Sequence, residues 1–173
     1  YDHCFFHDPN VPLPFGATAV NMAHRKIVSY VAFEPVSSPG DESEGHGTHT
    51  AGSLAGSPAS DSDSIVDFSG MAPKAKLAIY DFKRPSDNNL YVPDNIYGDL
   101  YGHANGAAKA RIMSNSWGAD DGVYSYYAEQ TDQFVWDNPH FLMVYAAGNY
   151  GGRGFKTLAS PGVAKNVLTV GST

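Results

Sequence analysis

Phe141-Leu142-Met143-Val144-Tyr145-Ala146-Ala147 is an unbroken apolar run of strand length, closed by Gly148-Asn149. A strand with one wet face alternates apolar and polar residues, whereas a run without alternation fits a parallel strand covered on both faces. Working outward, four further short runs read as strands: Ile27 to Phe33, Lys76 to Phe82, Arg111 to Trp117 and Asn166 to Gly171. The segments between them read as helices or loops. His46 to Gly56 is a short small-residue helix, and Asp94 to Ala110 places Ile96, Leu100, His103, Ala104 and Ala107 along one side. Val123 to Asn138 is the clearest helix, with Val123, Tyr126, Tyr127, Phe134 and Val135 on an apolar face. Strands alternating with helices predict an α/β layered fold. Ser57 to Ser69 and Lys83 to Pro93 read as loops rather than domain linkers, and no internal repeat appears, so residues 1–173 are expected to form one compact unit.

Composition narrows the function classes. With 42% hydrophobic and 17% charged residues the chain is globular in character, and 18 Gly with 11 Pro favour tight connections over long helices. A formal charge of -7, with 11 Lys and Arg that form no basic run, argues against a nucleic-acid partner. Aromatic residues at 13% are read as core and cleft wall rather than as a carbohydrate platform. Cys4 is the single cysteine, so no disulfide closes within the chain, and a buried free thiol is its expected role. No apolar run reaches membrane-spanning length, and Tyr1-Asp2-His3-Cys4-Phe5-Phe6 lacks the charged-then-apolar pattern of a signal peptide. The chain reads as though cut from the middle of a longer one.

The chemistry is carried by segments in a particular order. His46-Gly47-Thr48-His49-Thr50-Ala51-Gly52-Ser53-Leu54-Ala55-Gly56 sets a histidine at the mouth of a helix. A general base must be neutral to take a proton, and the positive end of a helix dipole disfavours imidazolium. Gly70-Met71-Ala72-Pro73 follows as a turn into a core strand, and Ile112-Met113-Ser114-Asn115-Ser116-Trp117-Gly118 as a strand with a small-residue end. Val144-Tyr145-Ala146-Ala147-Gly148-Asn149-Tyr150-Gly151 is a buried strand ending in an asparagine held by glycines. An asparagine amide can stabilise a developing oxyanion without titrating. Pro161-Gly162-Val163-Ala164-Lys165-Asn166-Val167-Leu168-Thr169-Val170-Gly171 leads through the last strand.

In this order the segments resemble the subtilisin-like serine protease family. The resemblance implies a three-layer subtilisin-like α/β fold, a mostly parallel sheet with helices on both faces, present here as a partial peptidase domain over residues 1–173. It implies His46 as general base and Asn149 as oxyanion donor. Ser116, Trp117 and Gly118, facing Ala146, Ala147 and Gly148, would form the two walls of the pocket for the residue before the scissile bond, with strand addition holding the peptide backbone. The family's aspartate and serine fall outside the chain. Asp2 lies downstream of the aspartate position; no Gly-Thr-Ser string occurs, and neither Ser116 nor Ser172 is a nucleophile candidate. The chain alone is therefore expected to be inactive. Its expected partners are a polypeptide substrate and the remainder of its own catalytic domain.

Trp117 departs from the smaller residue often found there and Tyr150 from a polar one, which bears on substrate preference. No cofactor is required for the chemistry, while Asp8 and the Asp61, Asp63 and Asp67 loop resemble in position regions where family members hold structural calcium. The family is mostly secreted, endomembrane or cell-surface. Two other readings stand beside this one: a non-catalytic peptide-binding relative, and a metal-dependent hydrolase using His46 and His49 with Glu44 or Asp41. His49 is otherwise expected to be a structural helix residue, and His3 and His7 to be surface or core residues.

Overall fold

The computed structural model describes residues 1–16, 19–33, 39–41, 44–60, 64–83 and 89–172. The chain divides into two compact units, Tyr1–Val92 and Pro93–Thr173. All five expected strands are present with trimmed ends, and the strand pairs formed in each unit are parallel. The architecture is α/β.

In the first unit, β1 (Ile27–Ala32) pairs with β2 (Leu77–Asp81), placing Ile27 opposite Leu77 and Ala32 opposite Asp81. Parallel neighbours require a crossover, and the connection carries α1 (His46–Ala55). Ile27, Tyr30 and Leu77 of the strands close a core with Phe6 and with Ala55 of α1. The far end of α1 explains the Gly-Met-Ala-Pro turn. The last helical carbonyls have no partner within the helix, and here the amide of Met71 donates to Ser53 and that of Ala72 to Leu54. Gly70 lies so close that a Cβ there would sit 2.4 Å from the Gly52 carbonyl oxygen.

In the second unit, β3 (Ile112–Asn115), β4 (Leu142–Ala146) and β5 (Leu168–Val170) form a sheet in the order β3-β4-β5. Its covered face presents Asn115, Met143 and Tyr145, all buried, while Ile112, Leu142, Leu168 and Val170 are exposed. The helical side consists of a π-helical stretch, Ile96–Gly102, continued by α2 (His103–Gly106), and of α3 (Tyr126–Asp137).

Two expected helix faces are corrected. Ile96, Leu100 and Ala104 are buried as expected, but Tyr101 and Ala108 are buried too and Ala107 is exposed. A turn closed over five residues holds more chain than an α-turn, which moves the inward face along the sequence. In α3 the buried residues are Ala128, Gln130, Thr131 and Phe134, whereas Val123 and Tyr126 are exposed. Ser125 caps the helix by accepting the Ala128 amide, which leaves Val123 outside it. Polar residues then turn inward because partners await them: Gln130 accepts the Tyr97 amide and donates to the Asp94 carbonyl, and Thr131 meets the Tyr101 hydroxyl at 2.9 Å.

Cys4 is exposed, contrary to expectation. It sits in a tight turn in which the amides of Phe6 and His7 both donate to the His3 carbonyl, and the turn sends Phe6 inward and Cys4 outward.

Candidate active site

His46 is the first residue of α1, preceded by Gly45 in the left-handed region at φ 65°. Only glycine adopts that conformation without strain, so Gly45 is what lets the chain turn sharply into the helix at His46. The opposite end of α1 is anchored by Ala55 in the core, while His46 stays exposed. His49, one turn on, is also exposed and lines a cavity of 620 Å³ together with His3, Phe5, Phe68 and Met71. Among the described residues no three His, Cys, Asp or Glu side chains converge to hold a metal ion.

In the second unit, the ends of β3 and β4 are brought together by one segment, Ala159-Ser160. The amide of Ala119 donates to the Ser160 carbonyl, the Ser160 amide returns to Ala119, and the Ala159 amide donates to the Ala147 carbonyl. The glycines of the two walls make this approach possible. A Cβ on Gly118 would lie 2.8 Å from the Ser160 carbonyl oxygen, and one on Gly148, at φ 97°, would lie 3.1 Å from the Ala159 Cβ. Ser116–Gly118 and Ala146–Gly148 thus border a common floor, and Asn149 emerges exposed just past Gly148.

The subtilase family model matches residues 21–173. The chain belongs to the subtilase family. It is similar to two Dictyostelium discoideum proteins named serine protease/ABC transporter B family protein, tagD and tagB. They are 40% and 38% identical over 98% of this chain, which spans only 9% of each. It is also 35% identical over 76% of its length to the serine protease AprX of Bacillus subtilis (strain 168), covering 30% of that protein.

Trp117 and Tyr150, the two departures noted in this subtilase chain, are built into the site's frame. Trp117 donates from Nε1 to Oδ1 of Asn115 at 3.1 Å and packs edge-on against Tyr145, ring centroids 5.7 Å apart. Asn115, buried at 3% exposure, braces it and donates in turn to the Val144 carbonyl. The Arg153 guanidinium lies 3.7 Å over the Tyr150 ring. Sequence reasoning quoted Asn115 within its segment but gave it no role, and it missed the Ala159-Ser160 floor, because the partners of both lie on other segments; the signal was the glycine on each wall.

Asp41, considered from sequence only as a metal ligand, instead accepts the Thr48 amide through Oδ2. Asp8 is engaged by the amides of Asn10, Val11 and Arg25. Asp61 and Asp63 lie outside the described residues, and Asp67 is exposed in the 3-10 turn Val66–Phe68.

Proposed function

We propose that this chain is the histidine- and asparagine-bearing part of a serine endopeptidase that hydrolyses peptide bonds. The observation that carries the reading is the placement of His46: an exposed imidazole at the glycine-turned start of a helix whose other end is anchored in the core. In the complete domain His46 takes the proton of the serine hydroxyl as that oxygen attacks the carbonyl, then returns it to the leaving amine. The Asn149 amide donates to the oxyanion, and the extended substrate backbone lies between the walls at 116–118 and 146–148. Ala146 and Ala147 keep those walls small, while Trp117 makes one side aromatic. The serine and its partner aspartate come from outside these residues; the family resemblance separately suggests a secreted, endomembrane or cell-surface setting.

Labelling of the full-length protein by a fluorophosphonate, with loss of labelling in His46→Ala, is the expected result. A full-length protein that takes no label would instead be a peptide-binding module. Asn149→Ala is expected to lower kcat by about 10²–10³, a magnitude measured on a subtilisin asparagine rather than obtained from this geometry. Unchanged kcat in that variant would remove the oxyanion role. The chain of residues 1–173 alone is expected to hydrolyse nothing, and turnover abolished by His46→Ala would overturn that expectation.

A further inference from the structure

The first turn of α1 draws on an acceptor from outside the helix. An N-cap side chain ordinarily takes the amide of the third helical residue, but the N-cap here is Gly45, which has no side chain to offer. The amide of Thr48, that third residue, donates to Oδ2 of Asp41 at 2.6 Å. The segment carrying Asp41 is itself tied to the sheet. The Gly40 amide donates to the Tyr30 hydroxyl at 3.1 Å, and Tyr30, buried on β1, donates to Oδ2 of Asp81 at the end of β2 at 2.8 Å. A negative carboxylate at the positive end of a helix is also favourable in its own right.

We infer that Asp41 is a positioning residue for His46: tethered through Gly40 and Tyr30 to the ends of β1 and β2, its carboxylate fixes the first turn of α1 from which the imidazole projects. The inference rests on His46 being the general base. Asp41 touches no reacting atom; it acts by keeping that turn from fraying, and small misplacements of a base are costly in rate.

The test is steady-state hydrolysis of a peptide substrate by the full-length protein carrying Asp41→Ala, Asp41→Asn, Tyr30→Phe, His46→Ala or the Asp41→Ala/His46→Ala pair. Asp41→Ala is expected to lower kcat at least about tenfold and leave KM within roughly twofold. Asp41→Asn, which keeps an oxygen for the Thr48 amide, should recover most of kcat. Tyr30→Phe, which frees the tether at its other end, should lower kcat in the same direction by a smaller factor, and it carries the test should Asp41→Ala not fold. Adding Asp41→Ala to His46→Ala should cause no further loss.

Wild-type kcat in Asp41→Ala overturns the inference. So does an Asp41→Asn protein as impaired as Asp41→Ala, or a double variant in which the losses multiply. Wild-type kcat in His46→Ala is a different failure, that of the base itself.

Discussion

Two side chains near the start of β1 are locked in one protonation state by backbone amides. The His24 Nδ1 accepts the amides of Lys26 at 3.1 Å and Ile27 at 2.9 Å, so a proton there would break both bonds. Burial lowers the imidazole below its usual range, with Arg25, Lys76 and His7 adding to the shift and Asp8 opposing it. Between the depressed folded value and the unfolded value of about 6.5 the unfolded chain holds more protons, so this stability is present above that pH and lost below it. The thermal midpoint should fall as the pH drops from about 7 towards 5, and His24→Asn should flatten the slope. Asp8 behaves in parallel at lower pH. The Arg25 amide, then that of Asn10, hold its carboxyl below the usual range, against the opposing effect of burial. Its contribution is present above about pH 3.9 and lost as the pH falls through the lower folded value. Denaturant titrations should show Asp8→Asn less stable than the parent at neutral pH, the gap closing in acid. Neither role was legible in sequence, where Asp8 resembled a calcium region. His46 and Asn149 could be proposed from sequence, because each sits in a run of neighbours that suggests its chemical setting along the chain.

At the scale of elements, α1 is defined by what meets its two ends. Gly70 packs against the Gly52 carbonyl so that the amides of 71 and 72 can reach the helix, and an added methyl would clash with backbone that cannot yield cheaply. Gly70→Ala should therefore lower stability by about 1–3 kcal/mol, read by chemical unfolding, whereas Gly40→Ala, with open space around its Cβ, should cost far less. The turn at Gly70 was visible in the sequence, but its purpose as a C-terminal cap was not, since the partners lie on different segments. The faces of the second unit's helices were misread for a related reason. Periodicity assumes an α-turn and apolar burial, and the π-turn at Ile96–Gly102 and the inward Gln130 and Thr131 break both assumptions.

At the scale of the molecule, the β3-β4-β5 sheet is buried on one side only among the described residues. Met143 is fully buried and Leu142, its neighbour on β4, is 44% exposed. Met143→Ala should cost about 2–5 kcal/mol while Leu142→Ala stays near 0.5 kcal/mol in this chain, and equal losses would contradict the assigned faces.

The sequence by itself determined the five strands, their parallel character and the order of the family's segments, and it singled out His46 and Asn149 as candidates, because each is written in neighbouring residues: an apolar run, a glycine, a small-residue helix start. Tertiary structure alone decided that Asp41 caps α1, that Ala159-Ser160 is the floor under both walls, that Cys4 faces outward and that Gln130 faces in. Those outcomes depend on which distant amide or carbonyl arrives to satisfy a polar group, and no local spacing records that.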